Sequence, residues 1–93
     1  MMKRNYDSLV YDYYKDRVLL THFLYEKSKT LYFGNMLESA LKSFRFALNE
    51  SEDLLVPLDS TDRLLYLKIK DLIVLIEQYI VRCEDGMRAN ACC

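Results

Sequence analysis

The histidine and the cysteines are the side chains of this sequence that would most readily carry chemistry. His22 stands alone between Thr21 and Phe23, and no cluster of cysteines or carboxylates accompanies it at the spacing of a metal site. Cys83 falls on an apolar stripe, which is typical of a small buried thiol rather than of a nucleophile. The three cysteines are an odd number, and Cys92 and Cys93 are adjacent, so they do not form a disulfide framework.

Other patterns that carry chemistry are missing from the sequence. It contains no glycine-rich phosphate loop, no nucleophile–base arrangement and no signature of paired carboxylates. Tyr11, Tyr13 and Tyr14 could form an aromatic surface, but such tyrosines are more typical of half-buried positions on a helix. We therefore predict that the chain is not an enzyme and holds no metal and no cofactor.

Length and composition narrow the class of protein further. The chain has 93 residues, which fits one domain with a modest core. A single Pro and two Gly disfavour a many-stranded β fold. The net charge of −1 gives no electrostatic drive toward nucleic acid. No apolar run reaches the ~20 residues that span a bilayer, and the cysteine usage indicates a reducing, cytoplasmic setting, so neither a nucleic-acid partner nor membrane insertion is expected.

The first helix is predicted over residues 6–32, because neither Pro nor Gly interrupts this stretch. Residues 1–5 are expected to be disordered. Gly34 is the strong breaker that follows; it suits the left-handed position at a helix end, and Asn35 would cap the next helix. The apolar face of the first helix comprises Val10, Tyr13, Tyr14, Leu20, Leu24 and Leu31.

The middle helix, predicted over residues 36–55, is the one around which the others pack. Ala40 and Ala47 lie a heptad apart and would let a neighbouring backbone approach, while Phe44 fills the space between them. Pro57 is expected to end this helix within the following loop. Its apolar and small positions are Leu37, Ala40, Leu41, Phe44, Ala47, Leu48, Ser51 and Leu55.

The third helix is predicted over residues 61–84, with Ser60 or Thr61 as its cap, and residues 86–93 are expected to be a disordered tail. Its core stripe comprises Leu65, Ile69, Leu72, Ile76 and Cys83. A second apolar stripe comprises Leu67, Val74 and Val81. One apolar stripe is enough for a third helix to meet two neighbours. The surplus stripe therefore indicates a groove or a dimer face, unless the long first helix covers it.

Short connections make consecutive helices antiparallel neighbours, so the predicted fold is an all-α, antiparallel three-helix bundle with an extended first helix, similar in outline to a spectrin repeat. The middle helix resembles the MIT (microtubule interacting and trafficking) domain family. The residues that carry the resemblance are Gly34, Asn35, Glu38, Ala40, Leu41, Phe44 and Ala47. The third helix continues it through Leu65, Lys68, Ile69, Leu72, Ile73, Ile76 and Glu77.

The resemblance covers residues 20–84 and has four departures from the family pattern, one of which is that the first helix extends further upstream and lacks the usual alanines. One extra residue precedes Ala40, Phe44 replaces a tyrosine, and Val74 and Leu75 stand where an acidic–basic pair is common. The resemblance implies a non-catalytic adaptor for tail peptides of ESCRT-III-type subunits in membrane remodelling and protein transport. Partners of this kind would recruit a cytoplasmic protein to endosomal or other membranes.

In that family the peptide lies as an amphipathic helix between the second and third helices, or in extended form between the first and third. Applied to this chain, the first arrangement implies that Leu67, Ile73 and Val74 receive leucines of the peptide and that Glu77 pairs with a basic residue. The partner-binding groove implied in this way comprises Arg45, Phe46, Asn49, Tyr66, Leu67, Lys70, Ile73, Val74, Glu77 and Val81.

A different class of function is compatible with the same surplus stripe. In this alternative the chain is a self-associating helical protein, such as a small viral or plasmid regulator. Leu67, Val74 and Val81 would then pair across the two-fold axis of a homodimer, and no peptide would be involved.

Overall fold

A computed structural model describes the backbone of residues 2–92 and the side chains of residues 12–89. It contains three helices, α1 (Met2–Phe33), α2 (Leu37–Thr61) and α3 (Arg63–Cys92), which confirms the predicted all-α three-helix bundle. The bundle is elongated, with extents of 64 × 19 × 15 Å. The middle helix packs along both neighbours, whereas α1 and α3 touch each other much less.

Both outer helices are longer than the sequence predicted. α1 begins at Met2, and α3 continues to Cys92, so residues 2–5 and 86–92, which we expected to be disordered, have helical backbone. Met1 and Cys93 lie outside the described residues. Contacts with the core explain the extension of α3. Met87 packs against the core, and Gly86 lies so close to Leu37 that an added Cβ would be 2.8 Å from its Cδ1.

The turn between α1 and α2 differs from the prediction by one residue. Asn35, not Gly34, has the left-handed backbone conformation, with φ of 63°, which Asn tolerates better than most residues. The N–H groups of Gly34 and Met36 donate to the carbonyls of Thr30 and Leu31 at 3.0 Å. Met36 occupies the N-cap of α2 without a side-chain hydrogen bond, so Asn35 closes α1 rather than capping α2.

The second helix does not end at Leu55 as predicted; it continues through Pro57 to Thr61. Leu54 and Leu58 are 3% and 0% exposed, and the burial of these two leucines offsets the hydrogen bond that proline cannot donate. Asp62 alone separates α2 from α3.

The cap of α3 is Asp62 rather than Ser60 or Thr61. Its Oδ1 accepts hydrogen bonds from the N–H groups of Leu64 and Leu65 at 3.0 and 3.2 Å. These are donors of the first turn, which no residue inside the helix can satisfy. Asp62 is therefore the single residue between two long helices, and its carboxylate caps the second of them.

The core stripe predicted for α3 is confirmed. All five of its members are buried, and the α2 residues Ala40, Phe44 and Ala47 are 0% exposed. The burial of both alanines agrees with the helix contacts that the sequence indicated for these small residues.

The apolar face predicted for α1 is confirmed only in part: Tyr14, Leu24 and Leu31 are half-buried and pack against the core. Leu20 and Tyr13 are 46% and 54% exposed, and the side chain of Val10 lies outside the described residues. The buried positions are Val18, Thr21, Tyr25 and Ser28. The hydroxyls of Thr21 and Ser28 each donate to a carbonyl of their own helix at 2.7 Å. Because these hydroxyls are satisfied locally, small polar residues can lie at the interface with α2.

Candidate functional site

A cluster of aromatic rings separates α1 from α3 at one end of the bundle. Tyr79 of α3 stacks on Phe44 of α2, with ring centroids 5.1 Å apart and an interplanar angle of 13°. The same ring meets Tyr25, Tyr32 and Phe33 of α1 edge-on, at 5.9, 5.3 and 6.3 Å. Rings of this size keep the two outer helices apart.

Beyond the aromatic cluster, toward the start of α3, the space between α1 and α3 is open and forms a groove of about 470 Å³. We call it the α1/α3 groove. The buried side chains of Val18, Leu65 and Leu72 form its floor, and Leu19 and Leu75, which are 58% and 42% exposed, form its rims. Its full lining comprises Lys15, Val18, Leu19, His22, Leu65, Lys68, Asp71, Leu72 and Leu75. Such a concave, largely aliphatic surface suits an apolar ligand.

Few polar groups surround this floor. Lys15 and His22 come from α1, and Lys68 and Asp71 come from α3. Within the described side chains, neither lysine nor Asp71 belongs to an ion pair. The lone histidine of the sequence therefore lines an apolar groove, and no group of three or more metal-ligating side chains occurs in the described part of the chain.

Part of the predicted partner-binding groove lies along the flank where α2 meets α3. Arg45 donates to the carboxylate of Glu84 at 3.3 Å and so bridges the two helices. Tyr66 is half-buried, and the cations of Arg63 and Lys70 lie 4.9 and 5.4 Å from its ring centroid. Ile73 is likewise half-buried and packs against the core. Asn49 and Glu77 are exposed.

The rest of the predicted groove lies on the side of α3 that points away from the bundle, which we call the outer face of α3. Leu67, Val74 and Val81 are 45%, 53% and 54% exposed there. Val74 lies about two and a half helical turns from both Leu65 and Cys83, which places it opposite the core stripe. The first helix therefore does not cover this stripe.

Phe46 occupies the corresponding outward position on α2. It is 54% exposed and follows the fully buried Phe44 by two residues, which reverses its direction relative to the core. The ten predicted residues thus belong to the flank between α2 and α3 and to outward-pointing faces, and their role in partner binding stays a prediction.

The site predicted from sequence does not include the residues that line the α1/α3 groove, chiefly Leu19, Leu75 and Lys15. In the sequence, Leu75 stands out only as a departure from the family pattern. Two signals pointed to this groove: the family resemblance allows an extended peptide between the first and third helices, and α1 carries surplus apolar residues. Leu19, Leu20 and Phe23 cannot all reach the core of an ordinary bundle helix. Phe23, at 64% exposure, extends the apolar surface of α1 beyond the rim at Leu19.

Cys83 lies on the core stripe with none of its surface exposed. Burial, and to a smaller extent the nearby Glu84 carboxylate, raises the pKa of its thiol. A raised pKa lowers the thiolate fraction at neutral pH, which is the opposite of what a nucleophilic cysteine requires.

Comparison with models of protein families, with curated proteins and with solved structures finds no match for this chain. None of the three helices, over the part of the chain that the structure describes, has the length and apolar character needed to cross a membrane. The α1/α3 groove and the outer face of α3 are the surfaces from which a function can be argued.

Proposed function

We propose that the chain is a non-catalytic protein-interaction module that binds tail peptides of ESCRT-III-type proteins in the α1/α3 groove. The observation that carries the proposal is the groove itself, whose floor is aliphatic and buried and whose rims are exposed leucines. The sequence resemblance to the MIT family supports the choice of partner. Binding would recruit the chain to endosomal or other membranes through that partner.

The shape and surroundings of the groove favour a peptide over a small metabolite. The apolar surface continues past the rim at Leu19 to Phe23 and Leu20, which are 64% and 46% exposed. A ligand that used the whole surface would have to extend along α1, as an extended peptide does. Alternate side chains of such a peptide point to the same side and would enter the groove between Leu19 and Leu75.

The expected affinity is modest. A peptide that fills only this groove buries less surface than a stable protein–protein interface, and short contacts of this type have Kd values on the order of micromolar. Loss of one apolar rim residue at the centre of such a contact typically costs more than ~1 kcal/mol, or roughly tenfold in Kd.

Two adjacent residues of α3 provide a matched test. Leu75 lines the α1/α3 groove, whereas its neighbour Val74 lies on the outer face of α3, and the two are 42% and 53% exposed. In fluorescence anisotropy titrations with labelled ESCRT-III tail peptides, Leu75→Asp should weaken binding at least tenfold. Val74→Asp should leave Kd unchanged. Equal effects of the two substitutions, or no binding to any tail peptide, would contradict the proposal.

The exposed outer face of α3 favours self-association as a second candidate function. Three aliphatic side chains, Leu67, Val74 and Val81, are exposed at heptad spacing on this face. In light scattering, a self-associating chain would have twice the monomer mass of 11.1 kDa, and Leu67→Asp or Val74→Asp would return it to the monomer. A monomer at high concentration would exclude this candidate.

A further inference from the structure

We infer that the α1/α3 groove selects acidic peptides, in which apolar side chains occupy the floor and an Asp or Glu lies between Lys15 and Lys68. This inference rests on the proposed function and specifies the chemistry of the partner. The two lysines line the groove from opposite walls, Lys15 from α1 and Lys68 from α3. A carboxylate that enters between them would meet both ammonium groups.

The ion pairs of the bundle leave these two lysines available. Within the described side chains, each of the six ion pairs uses a different cation. Those cations are Arg17, Lys29, Lys42, Arg45, Arg63 and Arg88. Lys15 and Lys68 are exposed, so their aliphatic stems can lie along the apolar lining while their ammonium groups stay in water.

Asp71 is the one carboxylate of the lining. Two lysines and one aspartate give the lining of the groove a net charge of +1 (2 − 1), with His22 counted as neutral. Asp71 follows Lys68 by about one turn of α3, which places it further along the groove from the two lysines. The two lysines therefore make one end of the groove cationic. They would select a peptide with an acidic residue, and the position of that residue would fix the direction in which the peptide lies.

The flank between α2 and α3 has no such excess of positive charge, because its cations and carboxylates balance. It presents the carboxylates of Glu77 and Glu84, and the guanidinium of Arg45 is already paired with Glu84. The ammonium of Lys70 lies over the Tyr66 ring. An acidic peptide would gain no net attraction there, so charge favours the α1/α3 groove over the alternative binding surface.

The test uses a library of random 12-residue peptides displayed on phage. The library is panned against the wild-type chain and depleted against Leu75→Ser, which adds no charge, so that the peptides retained depend on the groove. We expect these peptides to combine Leu or Ile with Asp or Glu. For a synthetic copy of an enriched peptide, Lys15→Glu and Lys68→Glu should each raise Kd by about three- to tenfold. Binding should also weaken as salt is raised.

Lys70→Glu is the matched control, because it reverses a lysine on the other flank of the same helix, and it should change Kd by less than about twofold. Groove-dependent peptides that lack acidic residues, or that bind the Lys15→Glu and Lys68→Glu variants as well as wild type, would overturn the acidic selectivity and leave the proposed function intact. If no peptide depended on Leu75, both would fall. All four substituted positions are exposed, and circular dichroism would verify that each variant folds.

Discussion

Phe44 of α2 and Tyr79 of α3 stack almost in parallel, with ring centroids 5.1 Å apart. The Tyr79 ring also contacts three aromatic side chains of α1, and one of these, Tyr25, meets Phe44 as well at 6.2 Å, so Tyr25, Phe44 and Tyr79 link all three helices. These ring contacts stabilise the bundle. They also set the separation of α1 and α3 that leaves the α1/α3 groove open.

Truncation of this ring should therefore be costly. Tyr79→Ala removes the centre of the aromatic cluster and leaves a cavity, and we expect the free energy of unfolding to fall by about 3–5 kcal/mol. Tyr79→Phe keeps the stacked ring and should cost less than ~1 kcal/mol. Urea denaturation measures both values, with the exposed Phe46→Ala as a control near zero. A small loss for Tyr79→Ala would show that the cluster does not hold the helices together.

A second link joins α1 to α2. The guanidinium of Arg17 donates to the Glu50 carboxylate at 2.6 Å and to the Tyr13 hydroxyl at 3.1 Å. The side chains of Arg17 and Glu50 are 32% and 26% exposed, so solvent screens the pair only in part. A double-mutant cycle with Arg17→Met and Glu50→Gln should give a coupling energy of about 1 kcal/mol.

The exposed pair Lys42–Glu38, at 3.7 Å within one helix, is the reference for that cycle and should couple by roughly 0.3–0.5 kcal/mol at most. If the two pairs coupled equally, the contact between α1 and α2 would have no special role in stability.

The capping assignment at the start of α3 can be tested directly. Asp62→Ala removes the acceptor for two N–H groups of the first turn and should destabilise the chain by about 1 kcal/mol. Ser60→Ala and Thr61→Ala should have little effect, because the hydroxyl of Ser60 donates to the carbonyl of Pro57 in the preceding turn. Thermal melts of the three variants would rank them, and a larger loss for Ser60→Ala or Thr61→Ala would restore the cap predicted from sequence.

The buried thiol of Cys83 makes stability depend on pH in the alkaline range. Its folded-state pKa lies above the ordinary value of 9.0 because of burial and Glu84, so the folded chain retains a proton that the unfolded chain loses. Its contribution to the free energy of unfolding is therefore complete below about pH 9 and declines as pH rises further.

Replacement of this residue should isolate the effect. Cys83→Ala should destabilise the chain by about 1 kcal/mol at neutral pH through lost burial, and the difference from wild type should shrink as the pH rises to ~10. Urea titrations at both pH values, in a Cys92→Ser and Cys93→Ser background under reducing conditions, measure that difference. A gap that stayed constant with pH would contradict the assigned direction of the pKa change.

Sequence periodicity predicted the core stripe of the third helix correctly, because that stripe depends only on helical spacing. The five residues from Leu65 to Cys83 repeat at helical intervals and are all buried. The end of α2 could not be predicted in the same way. Local propensity favours a stop at Pro57, whereas the burial of Leu54 and Leu58 depends on tertiary packing and outweighs that local preference.

The groove was harder to predict for a related reason. Its width depends on how far Tyr25 and Tyr79 hold α1 from α3, with ring centroids 5.9 Å apart, and no pattern within a single helix encodes that distance. The sequence did indicate surplus apolar surface on α3, but Leu67 and Val74 lie on the outer face rather than in a groove. The periodicity of one helix identifies a second apolar stripe. Only the packing of the neighbouring helices shows whether that stripe faces solvent or another helix.

The most direct test of the central claim is a chemical-shift titration of the ¹⁵N-labelled chain with unlabelled ESCRT-III tail peptides. We expect the largest amide shifts on both walls of the α1/α3 groove, at residues such as Leu19 and His22 on α1 and Leu72 and Leu75 on α3. Shifts centred on Arg45, Lys70 and Glu77 along the flank between α2 and α3, or no shifts with any peptide, would contradict it.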